Sequence, residues 1–154
     1  MTPVVDRLPT PAMTAAPDVE PDYADAFEVR TDTPDARSAE QWARSALEQA
    51  PSAVRGLVVV AHRGVLRFRL GPLRSSDHVL GWRIRRSDPD LIELAADGPL
   101  MSGLIVGRRT SPTTALIETF VFFHRPRAAV IWTLVGPLHR RVAPLLLKRA
   151  ARVE

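Results

Sequence analysis

The chain has 154 residues, 45% hydrophobic and 25% charged, which is enough apolar material for one core of ordinary size. It contains no cysteine, which excludes a disulfide scaffold, a thiolate nucleophile and a zinc site built on sulfur; no apolar run approaches the ~18 residues that cross a bilayer, and no basic start with an apolar block marks a secretory signal. The net charge of +4 divides into a leader, residues 1–36, with eight acids against Arg7 and Arg30, and a basic remainder with 19 bases against nine acids, so the expectation is a cytoplasmic domain whose basic surface is partly offset by its own leader.

Residues 1–20 read as a disordered tail, with Pro3, Pro9, Pro11 and Pro17 among Thr, Ala and Asp and no regular hydrophobic period; a single domain is expected over 21–154. From Tyr23 to Val29 apolar and polar residues alternate, which predicts a half-buried strand with Tyr23, Phe27 and Val29 on one face. Pro34 and Asp35 break it. Ser38 followed by Gln41 forms a capping box, and Ala39, Trp42, Ala43, Ala46, Leu47 and Ala50 make one helical stripe that ends at Pro51.

Ala53 to Leu70 admits two readings. As a helix, Val54, Leu57, Val58, Ala61, Val65 and Phe68 form a stripe, with His62 mostly off it. As a hairpin, Leu57–Ala61 and Val65–Leu70 pair around His62-Arg63-Gly64. The unbroken stripe favours the helix, although Gly56 and Gly64 weaken it by roughly 1 kcal/mol each.

Four strands follow, at about Val79–Arg86, Leu91–Ala96, Gly103–Arg109 and Thr114–Phe123, separated by turn formers such as Asp97-Gly98-Pro99 and Thr110-Ser111-Pro112-Thr113. Loops this short join antiparallel neighbours, which makes a meander. Arg127 to Arg152 has a helical period through Ile131, Leu134, Val135, Leu138, Val142, Leu145 and Leu146, with Gly136-Pro137 and Pro144 predicting either a kink or a fresh start at Pro137.

The order is α+β: a curved five-stranded antiparallel sheet closed by the terminal helix, with the two early helices plugging one end and a cleft between. This order resembles the helix-grip, or START-like, superfamily of polyketide cyclases and lipid-transfer domains over about residues 22–153. His78-Val79-Leu80-Gly81-Trp82-Arg83-Ile84, Thr119-Phe120-Val121-Phe122 and Trp132…Gly136-Pro137-Leu138-His139-Arg140 resemble small bacterial members known only as a domain of unknown function. The resemblance implies a cavity for an apolar or amphipathic small molecule, and in some members cyclisation or hydrolysis there.

The residues themselves point to the same cavity. Trp82, Phe120, Phe122 and Trp132 are its expected walls, and Glu118, on a strand apolar on both faces, its expected polar anchor. Trp42 is expected in the core or cavity wall. Arg83 is expected opposite Glu93 as a cross-strand pair. His62, His78, His124 and His139 are scattered without ligand spacing, so no metal or other cofactor is expected.

Three alternatives accompany ligand binding. One is an enzyme using Glu118 with His139 or His124 as acid and base; no GxSxG, HExxH, P-loop or dinucleotide motif supports one, so no catalytic residue is assigned. A second is a ligand-free structural domain that covers its second apolar face by homodimerisation. A third is docking of the basic, leucine-rich terminal helix on an anionic membrane, against which stands the need of that helix to close the domain. Nucleic acid is not an expected partner, because the aromatics are not interleaved with the arginines.

Overall fold

A computed structural model describes residues 3–8 and 19–152. The elements are β1 (Val4–Arg7), β2 (Tyr23–Arg30), α1 (Ala39–Leu47), α2 (Ser52–Val60), β3 (Arg74–Ser75), β4 (His78–Val79), β5 (Trp82–Asp88), β6 (Leu91–Asp97), β7 (Met101–Ser111), β8 (Thr114–Phe123) and α3 (Pro126–Ala150). One antiparallel sheet in the order β1-β2-β8-β7-β6-β5-β4-β3 curves around α3, with α1 and α2 following β2. This is the helix-grip, START-like topology.

The sheet has eight strands rather than five. β3 and β4 are two residues long, too short for any period to announce them. β1 lies in the stretch read as tail: Val4 pairs with Arg30 and Arg7 with Phe27, so backbone hydrogen bonds to the edge of β2 order residues whose side chains are mostly exposed. Residues 1–2 and 9–18 of the expected tail lie outside the described residues.

Helix α1 starts where its cap dictates. The Ser38 hydroxyl accepts from the Gln41 backbone N–H at 3.2 Å, and Gln41 Oε1 accepts from the Ser38 N–H at 2.8 Å. Its stripe buries Ala39, Trp42, Ala46 and Leu47. Trp42 packs under two guanidinium groups, those of Arg37 (4.4 Å) and Arg109 (5.2 Å), so it serves the core near α1 and not the main cavity.

Between Ala53 and Leu70 the helical reading holds as far as Val65. α2 continues into a π-helical turn over Ala61–Val65, and then Arg67 turns the chain at φ 61°. Phe68 therefore leaves the helix, and Arg69 donates its backbone N–H to Asp97 O at 2.8 Å. Gly98 makes that crossing possible, since a Cβ there would sit 2.3 Å from Arg67 O.

Helix α3 is one continuous element of 25 residues with Pro126 at its start and Pro137 and Pro144 inside it. Both inner prolines delete an intrahelical donor, yet seven residues apart they fall on one side, away from sheet-facing Ala128, Trp132 and Leu146. The expected single stripe splits in two. Val135, Val142 and Leu146 face the sheet, whereas Leu134 (76% exposed) and Leu145 (64%) face outward with Val130. Among the described residues no helix is long and apolar enough to cross a membrane.

Register decides which side chains share a face. Asp25, Thr119, Ile105, Leu94 and Ile84 lie opposite one another across five strands, and so do Ala26, Glu118, Val106 and Glu93 across four. The first row belongs to the concave face, where Ile105 and Leu94 join the main core; the second belongs to the convex face, where Val106 packs with Leu104 and Phe120. The register of β5 on β6 corrects one expected pair: Arg83 stands opposite Ala95 and, past a shift between Ile84 and Arg86, Glu93 stands opposite Arg86.

Candidate functional site

Between the concave face, α2 and α3 lies a cavity of about 100 Å³. The sheet contributes Ile105, Ile117 and Val121 to it, α3 contributes Trp132, Val135, Val142 and Leu146, and α2 with its π turn contributes Leu57, Val58, Ala61 and His62. Gly103 on β7 gives the Trp82 indole its place in the wall, because a Cβ there would come within 2.6 Å of the ring. Leu57 on α2 and Leu138 on α3 border the cavity and are also exposed, at 46% and 40%, so they mark its mouth.

Two histidines enter this apolar chamber, each within an aromatic cluster. His62 packs edge-on against Trp82 and Phe68, at 5.4 and 6.0 Å between centroids. Trp82 Nε1–H, which can only donate, bonds to His62 Nδ1 at 3.1 Å. That bond fixes the neutral tautomer, with the proton on Nε2. Burial pushes the His62 pKa down to about 4, and His139 lies close enough to push it the same way.

His139 stands beside Trp132 (5.5 Å) and Tyr23 (6.2 Å). Its Nε2 bonds to Asp25 Oδ2 at 2.9 Å, and the same oxygen accepts from the Tyr23 hydroxyl at 2.5 Å. The Asp25 side chain is fully buried on the concave face, between these two donors. Burial, followed by the hydrogen bond to Asp25, pushes the Tyr23 phenol up to about 12. Asp25 Oδ1 and Trp132 Nε1 are buried without a hydrogen-bond partner among the described residues.

The residues singled out from sequence divide between the two faces. Trp82 and Trp132 wall the cavity, and Phe120 borders it from its strand while its side chain joins Leu104 and Val106 on the convex side. Phe122 and Glu118 do not line it. Glu118 is fully buried on the convex face, where Arg108 Nε lies 3.3 Å from Oε1. Burial raises its carboxyl above the ordinary range, and Arg108 counteracts part of that. The cavity's carboxylate is Asp25 instead, missed although it sits between Tyr23 and Phe27 on the predicted apolar face of β2, where an isolated acid was the available signal.

The other histidines are elsewhere. His124 pairs with Asp97 at 3.3 Å on the surface, and His78 Nδ1 meets the Ser75 hydroxyl at 3.0 Å. An acid–base pair made of Glu118 with His139 or His124 therefore has no common point in the cavity. Among the described residues, no three His, Cys, Asp or Glu side chains come together as metal ligands. No family model matches this chain, and no curated protein sequence matches it.

Proposed function

We propose that the protein binds a small, largely apolar molecule carrying one polar group, in the cavity between the concave sheet and α3. The observation that supports this reading is an apolar chamber into which two histidines bring hydrogen-bonding nitrogens. Apolar walls supply the favourable burial, about 25 cal/mol per Å² removed from water, and the few polar groups orient the occupant. Trp82 and Trp132 are wall residues in this proposal, with His62 and His139 as the polar contacts in place of Glu118. The volume of about 100 Å³ is below the roughly 150 Å³ of a dry cavity that accommodates benzene, so it suits a short chain or a single small ring.

A thermal-shift panel of small cyclic ketones, phenols and short-chain fatty acids tests it. A ligand that binds the native state alone raises the melting temperature in proportion to RT ln(1 + [L]/Kd). Saturable stabilisation by at least one class, weakened by Trp132→Ala relative to Trp42→Phe, is the expected result. No stabilisation and no change in tryptophan fluorescence anywhere in the panel would overturn the reading.

A further inference from the structure

The two cavity histidines are not equivalent, and their difference is chemical. His62 presents Nε2–H and is neutral across physiological pH, because Trp82 occupies Nδ1 and burial disfavours the cation. His139 gives Nε2 to a buried carboxylate, so its Nδ1 holds the lone pair whenever the ring is neutral. Neither His62 Nε2 nor His139 Nδ1 has a hydrogen-bond partner among the described residues, and neither is among the buried atoms left unsatisfied. Both residues line one chamber. A fixed donor and an oriented base across a small apolar space is the arrangement needed to polarise a carbonyl and remove the proton beside it.

We propose that the cavity catalyses proton transfer at the carbon next to a carbonyl, with His139 as the base, Asp25 as its positioning residue and His62 as the hydrogen-bond donor to the carbonyl oxygen. This rests on the ligand-binding reading above and names the class of ligand, a small ketone or aldehyde. The C–H bond breaks, its proton passes to His139 Nδ1, and its electron pair forms a C=C bond. The carbonyl π pair moves onto oxygen, where His62 Nε2–H donates to the developing enolate. Return of a proton from His139 to the same carbon exchanges it with solvent, and return to a carbon further along a conjugated chain isomerises the molecule. No oxidant, reductant or second substrate is consumed.

Asp25 acts through His139. Its Oδ2 holds Nε2 in one orientation and stabilises the imidazolium that forms, while Tyr23 stays a phenol by virtue of its raised pKa and continues to donate. Arg140 also packs at this cluster: its guanidinium lies 5.9 Å from the Tyr23 ring centre and opposes part of the rise in the phenol pKa, and His62 is close enough for His139 to depress its pKa.

The full-length protein in D₂O with cyclohexanone or 2-pentanone provides the test, with α-proton loss followed by NMR and binding followed separately by tryptophan fluorescence. The expected result is saturable exchange above the buffer rate. Exchange measured at saturating ketone falls about 100-fold in His139→Gln, the lower range for loss of a general base, so that any weakening of binding is separated from the loss of rate. His139→Asn is a second such variant should the first fold poorly. Asp25→Asn lowers the rate at saturation with little change in half-saturation, which a merely structural role would not produce. A ketone that binds but exchanges no faster than in His139→Gln overturns the catalytic proposal and leaves ligand binding standing. Absence of binding by ketones and by the wider panel alike overturns both.

Discussion

The two faces of the sheet each bury a carboxylate completely, and they treat it differently. On the convex face Glu118 meets the permanent cation of Arg108, among Val106, Leu104 and Phe120. On the concave face Asp25 meets an imidazole and a phenol beside a cavity. The partner of Glu118, a guanidinium, is a cation at every working pH, which suits structure. A carboxylate that orients an imidazole beside open space suits chemistry. Burial alone does not mark a functional acid; the nature of its partner and the presence of adjacent space do.

Removing the convex partner produces the largest effect expected. Arg108→Met leaves Glu118 buried without a cation and costs about 4 kcal/mol near neutral pH, measured by urea unfolding. The folded state already holds the Glu118 proton to higher pH than the unfolded chain does, so this group lowers stability as pH rises from about 4.5 upward. Arg108→Met steepens that loss, and adding Glu118→Gln recovers most of it. If the single variant melts like the wild type at pH 7.5, the ion pair is not the structural element described here.

The concave face responds to pH with the opposite sign. Unfolded His62 takes up a proton near pH 6.5, whereas folded His62 resists it to about pH 4. Stability contributed by its neutral form is complete above pH 6.5, declines as pH falls, and is gone below about 4; the shift corresponds to about 3 kcal/mol. His62→Asn, which keeps an acceptor for Trp82 Nε1–H, flattens this segment of the stability curve. Unfolding midpoints at pH 5 and pH 7 in the two proteins give the comparison directly.

Half of the concave site is legible in the sequence. Period-2 alternation placed Tyr23, Phe27 and Val29 together, and the same parity places Asp25 among them. Parity likewise groups Glu118 with Phe120 and Phe122, but it does not tell which group looks into the curve of the sheet. That depends on the side from which α3 packs, a long-range outcome that no local pattern encodes. His62 was harder to place, since the helix or hairpin around it differed little in local preference and the π turn that aims it has no sequence signature. Conversely, the start of α1 is readable to the residue because a capping box is local, whereas the helix stops at Leu47, four residues before the expected break at Pro51.

A smaller effect isolates Asp25. Tyr23 is the chain's single tyrosine, so phenolate absorbance reports this one side chain. Native protein is expected to titrate at about 12, and Asp25→Asn to bring the midpoint part of the way back toward 10. The return is partial because burial, the larger cause, remains. An unchanged midpoint would mean that the hydrogen bond to Asp25 contributes nothing to the shift.

The finest division of the two faces is between neighbours in the chain. Val121 lines the cavity and Phe122 does not, one residue later on the same strand. Val121→Ala removes two carbons from the wall, worth about 1 kcal/mol of contact, and weakens a cavity ligand about fivefold. Phe122→Ala deletes far more apolar surface, yet on the convex side, so affinity stays within about twofold even though the fold loses stability. Affinity that followed the size of the deletion instead would place the ligand in the groove on the other face, where Phe122 lies near Arg83 and Arg85.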